Sequence, residues 1–132
     1  MSGIAAILML AVVVIGCKHN VNNKPETFTV IFNVDGGVGG TLKATVEDGS
    51  EITSGKTIEH GKTVTFTAEP SDNYEVDKWT ITGGAFETGT GIGGSTTAKV
   101  KITTTVNITV SFKLKNYTVT FSVEGTPANG TL

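Results

Sequence analysis

From Phe28 onwards the chain alternates. Phe28, Val30, Phe32 and Val34 fall on one parity, with Thr29, Ile31 and Asn33 between them, and a period of two means a strand. The glycine-rich stretch Asp35–Gly40 turns the chain, after which Leu42, Ala44 and Val46 resume the apolar face. Glu47–Ser50 turns it again, a short stretch follows around Ile52 and Ile58, and His60-Gly61 makes another turn. Val64, Phe66 and Ala68 then point inward while Thr63, Thr65 and Thr67 point out, until Pro70–Asn73 breaks the run. Past the glycine-rich loop Gly83–Gly94, Ala98, Val100 and Ile102 alternate, and Val106, Ile108, Val110, Phe112 and Leu114 do the same.

Tyr74–Ile81 departs from this rule. Tyr74 and Val76 share a parity, but Trp79 and Ile81 fall on the opposite one. One extra residue at Asp77-Lys78 returns all four to the core side, which predicts a β-bulge. The pattern predicts an all-β, small single-module β-sheet fold, a β-sandwich or β-grasp-like sheet without a defensible helix, of about six or seven short strands over residues 28–114. Phe32, Phe66, Trp79 and Phe112 are its expected anchors, with Tyr74, Val76 and Ile81 in the same core. In so small a module each large side chain matters.

Composition agrees. Thr, Val, Ile and Phe with 17 Gly is strand-and-turn usage. With 10 basic and 12 acidic residues the net charge of −2 leaves no basic face for nucleic acid.

Ahead of the module, Ile4–Ile15 is an unbroken apolar run of 12 residues, followed by Gly16-Cys17. The run is too short to span a bilayer, which takes about 20 residues, and suits the hydrophobic region of a signal peptide. Val14-Ile15-Gly16-Cys17 resembles a bacterial lipobox. Val14 and Ile15 depart from its usual Leu and small residue, and no Lys or Arg precedes the run, as expected of an upstream start codon or a relaxed signal. A buried apolar element with an inert cysteine is the competing reading. The polar stretch from Lys18 to Thr27 favours a tether. Residues 1–16 are therefore expected to be a signal peptide, and 17–27 a lipidated Cys17 with its tether. That puts the protein in the bacterial cell envelope, anchored by lipid at the outer surface or on the periplasmic face.

The module's text, Gly61-Lys-Thr-Val-Thr-Phe-Thr-Ala-Glu-Pro70, then Tyr74 to Trp79, then Ile108-Thr-Val-Ser-Phe112, resembles the divergent internalin B-repeat family, also called the bacterial or Listeria–Bacteroides repeat. It departs in the Gly83–Gly94 insertion and in Asn73, where Gly often precedes the Tyr. The resemblance implies a structural repeat, typically in tandem on secreted or surface-anchored bacterial proteins, and implies no activity. Tyr117, Val119, Phe121 and Val123 repeat the set Phe28, Val30, Phe32 and Val34. Only Lys115 and Asn116 separate them from the module, a spacing that suits stacked or rod-like repeats. Residues 115–132 read as the start of a second repeat, as in a truncated gene or a fragment of a longer repeat protein.

Sites of chemistry are scarce. Gly89-Thr-Gly-Ile-Gly-Gly94 fits G-x-G-x-x-G, but the residues after it read as strand, where a dinucleotide site needs a helix N-terminus. His60 has only His19, in the tether, as a second histidine, so a transition-metal site lacks ligands. Asp72, Glu75, Asp77 and Glu87 lack calcium-loop spacing. No catalytic residue, cofactor or metal is expected. The leading expectation is a non-enzymatic surface lipoprotein whose module is a spacer or an adhesive unit. Its partners would be the membrane through Cys17, adjacent repeats, and a host or cell-surface protein or glycan. The alternative is a carbohydrate-binding or enzyme-accessory module that stacks sugars on Trp79 or Tyr74. Metabolic labelling with palmitate checks the anchor: the native protein should take up label and Cys17→Ser should take up none, because lipidation requires the thiol.

Overall fold

A computed structural model describes residues 23–122 and 124. Cys17, the apolar run before it and the end of the second-repeat segment lie outside the described residues. Eight strands form: β1 (Thr27–Val34), β2 (Gly40–Val46), β3 (Glu51–Ile52), β4 (Lys56–Glu59), β5 (Thr63–Pro70), β6 (Tyr74–Thr82), β7 (Thr97–Lys101) and β8 (Val106–Leu114). A single 3-10 turn at Asp35–Gly37 is the one helical feature among the described residues. The count exceeds the expected six or seven because the stretch around Ile52 and Ile58 divides. Gly55, at φ 91°, turns the chain within it. Its two short pieces then join different sheets.

The strands make two four-stranded sheets, ordered β4-β1-β8-β6 and β3-β2-β5-β7. All pairs are antiparallel except β1 with β8, which run parallel from Val30↔Val106 to Val34↔Val110. One hydrophobic cluster joins the sheets. Val30, Phe32, Ile58, Val76, Trp79, Val106, Ile108 and Val110 come from the first, and Ala44, Val64, Phe66, Ala68, Ala98 and Val100 from the second. Phe32 meets Phe66 edge-on with ring centroids 5.6 Å apart, a favoured aromatic geometry. The fold is thus the sandwich rather than the β-grasp form.

The bulge falls as the parity demanded. In the β6–β8 ladder Val76 pairs with Phe112 and Lys78 with Ser111, so Asp77 is the extra residue. The phase change turns Val76 and Trp79 into the core despite their odd spacing. Tyr74, Ile81 and Phe112 are half-buried around its edge.

Each outer strand is guarded. β3 has two residues and β4 has four, flanked by Lys56 and Glu59. β6 carries the bulge with Glu75, Asp77 and Lys78 exposed, and β7 is covered by the loop before it, through Glu87 N–H to Lys99 C=O (2.8 Å) and Gly91 N–H to Thr97 C=O (3.0 Å). Short, charged, bulged and covered edges resist pairing with other chains.

Two turn positions show what the backbone requires. A Cβ on Gly40 would come within 2.6 Å of the Glu69 carbonyl oxygen and 2.7 Å of the Phe112 ring. Asn73 has φ 68° and is the only non-glycine at positive φ among the described residues. It stands just before Tyr74, and its short polar side chain tolerates the left-handed region. Thermal or urea unfolding should show Gly40→Ala destabilised by about 1–3 kcal/mol, from overpacking. Asn73→Val should also lose about 1–2 kcal/mol, whereas Asn73→Gly should stay near the native value.

Candidate functional site

Of the two aromatics that the sequence offers as a sugar platform, Trp79 and Tyr74, the fold encloses the indole of Trp79. β6 directs it inward after the bulge, leaving it 6% exposed. Phe86 packs edge-on against it at 6.2 Å between centroids, and the indole N–H donates to the Ser95 carbonyl at 2.8 Å. Both partners belong to the Gly83–Gly94 loop or its immediate continuation. That loop is therefore a cover, shaped to satisfy the indole donor and bury its face. A sugar-stacking platform on Trp79 is ruled out, since stacking needs an open ring face. Tyr74 is also committed in part, because a Cβ on Gly39 would lie 2.9 Å from its ring.

The same loop disposes of the nucleotide motif. Gly89–Gly94 runs into Thr97 at the start of β7 with no helix after it, and the Thr90 hydroxyl accepts from Lys99 N–H at 3.1 Å. Phe86 and Ser95 were not singled out by sequence reasoning. An aromatic inside a glycine-rich insertion was the available signal.

The remaining expected core residues sit as follows. Phe66 is fully buried, and Phe32 and Val76 are nearly so. Phe112 and Tyr74 flank the Gly39-Gly40 backbone.

Of the acidic side chains weighed for a cation, Glu75 and Asp77 are paired with a lysine, facing Lys113 Nζ at 3.8 and 3.5 Å. Among the described residues no three His, Cys, Asp or Glu side chains are placed to hold a metal ion. His60 is exposed, tilted over Phe28 at 6.0 Å.

On the outer face of the second sheet Lys43 Nζ meets Glu69 at 2.9 Å, and Glu69 also accepts from the Thr41 hydroxyl. The hydrogen bond and charge of each partner raise the Lys43 pKa and lower that of Glu69. The contribution from Glu69 is present above the unfolded carboxylate range and fades as pH falls through its lowered value. Solvent keeps such exposed pairs weak. Asp48 is held low by the Ser50 N–H and hydroxyl in the turn between β2 and β3.

A groove of about 730 Å³ lies where the chain leaves the module. Pro70, Asn73 and Tyr74 form one side, Thr96 another, and Lys115 and Tyr117 close it. Lys115 N–H donates to the Asn73 carbonyl at 2.8 Å, tying the departing chain to the β5–β6 turn. Beyond it Tyr117, Val119 and Phe121 are 69%, 69% and 75% exposed. The groove is thus walled partly by Tyr117, in the segment that follows β8.

A family profile described as "Divergent InlB B-repeat domain" matches residues 40–125. Its span leaves out β1 and takes in the segment that follows β8. No curated protein and no solved structure matches the chain. Removing the cover should test its role: Phe86 is half-buried against the indole, and Phe86→Ala should red-shift Trp79 emission and cost about 1–3 kcal/mol in urea unfolding.

Proposed function

The chain belongs to the divergent InlB B-repeat family, and from that premise we propose that it is a non-enzymatic, surface-anchored bacterial spacer whose module carries the chain outward from a lipidated Cys17. One observation carries this reading. The first and last strands of the module are adjacent and parallel, so the chain comes in at one end and goes out at the other. Antiparallel terminal strands would return it to its starting side. Counting the register, seven strand steps along β1 and four more along β8 separate the level of Thr27 from that of Leu114, or ~36 Å at about 3.3 Å per residue.

The module's surface supports the same role. Its indole is enclosed, its edges are guarded, and its outer faces are mostly Thr and paired charges. A spacer needs such a surface. The exposed Tyr117, Val119 and Phe121 share one parity, like the buried side chains of β1, and in this reading they open an adjacent repeat that buries them. Lys115 and Asn116 leave little slack between the two, so the junction groove sets the angle at which they join. The envelope location and the membrane attachment follow from Cys17 and its tether.

Spin labels at Thr27→Cys and Lys115→Cys, in a Cys17→Ser background, test the geometry. Their separation should centre on about 40 Å, the strand-derived span plus the label arms. A separation under about 20 Å would place both ends on one side of the module. A lipid-anchored protein carrying a second copy of residues 27–116 should also lift a C-terminal fluorophore by ~36 Å more above a supported bilayer. An unchanged height would count against the spacer.

A further inference from the structure

We propose that the β1–β8 pair is a mechanical clamp, making the module a force-bearing link between the membrane anchor and whatever its distal end holds. The inference rests on the spacer reading, in which tension enters before Thr27 and leaves after Leu114. Such tension pulls β1 and β8 in opposite directions along their common axis. The two strands are immediate neighbours at the centre of the first sheet. To part, they must slide past each other.

Sliding loads the ladder all at once. Phe32 N–H donates to Ser54 Oγ at 2.8 Å and the Val30 carbonyl accepts from Gly55 N–H at 2.8 Å, both on the β4 side. Backbone alternation therefore turns the polar groups of Thr29, Ile31 and Asn33 towards β8. Thr29 N–H also reaches the Thr105 hydroxyl at 3.3 Å, just ahead of the first strand pair. These bonds lie across the pulling direction and share the load, whereas a peeling force would break them one at a time.

The core opposes the same motion. Val30, Val106, Ile108 and Val110 are essentially fully buried, and Phe32 is nearly so, locked against Phe66 of the other sheet. A slip of one residue would turn Ile31 and Asn33 inward and Val30 and Phe32 out. Each strand is also held on its far side, β1 by β4 and β8 by the long antiparallel ladder with β6. Neither can leave without disrupting the sheet.

The experiment is single-molecule pulling on the full chain in a Cys17→Ser background, with two handle pairs. Handles at Lys24→Cys and Lys115→Cys load the strands in shear. Handles at Lys24→Cys and Thr103→Cys pull β1 and β8 from the same end and peel them. Forced unfolding reads the barrier along each path, and at one loading rate the shear pair should need at least about twofold more force. Equal or lower force in shear would overturn the clamp. In the shear geometry Asn33→Pro, which removes one N–H directed at β8, should lower the force, while the peeling force should change less. A shear force unchanged by a folded Asn33→Pro would likewise count against it. The force-free label separation is measured independently, so a failed clamp and a failed spacer give different results.

Discussion

The parallel pairing of β1 with β8 is the constraint on which the rest of the molecule depends. It joins the two ends of the module in one sheet, and the pairing must bridge more than seventy residues of intervening chain. Val30 and Phe32 on one strand and Val106, Ile108 and Val110 on the other form the floor of the core. Burying each such side chain contributes roughly 1.5–3 kcal/mol. Without β1, β4 would lose its only partner, β8 would become an edge, and the first sheet would be reduced to β6 and β8.

The same pairing gives the module its direction. Parallel neighbours cannot be linked by a tight turn, so the chain between them must travel. Here it leaves β1 through the Asp35–Gly37 turn, lays down β2 and β3 in the second sheet, and then crosses between the sheets at every further strand until β8 closes beside β1. The second sheet closes the core from above, with Phe66 meeting Phe32 at its centre. The chain then exits beyond Leu114, at the end opposite its arrival, beside the groove walled by Tyr74 and Tyr117. Direction and core are two consequences of one register.

The insertion before β7 illustrates how a module can spend glycine without weakening itself. Its residues follow the edge strand, hydrogen-bond to it, and set Phe86 and the Ser95 carbonyl on the indole of Trp79. An exposed tryptophan and an open edge would both invite binding. The loop removes both at once.

Much of this was legible in the chain itself. Alternation located the main strands, and the failed alternation between Val76 and Trp79 located the bulge, because side-chain parity in a strand is a local property. Pro70–Asn73 marked the turn before β6 for the same local reason, whereas the need for glycine at position 40 comes from Glu69 and Phe112, remote in sequence. Two short strands went uncounted separately, since β3 and β4 are too brief to show a period. Nor could parity decide which strands are neighbours. The choice of sandwich over β-grasp, the adjacency of β1 and β8, and the closing of Phe86 over Trp79 all join residues remote in sequence. Partner choice follows from three-dimensional packing of one buried face against another, which a period of two leaves open. What the sequence determined was which side chains face inward; what only the tertiary structure decided was what they face, and through that, the direction in which the chain passes through the module.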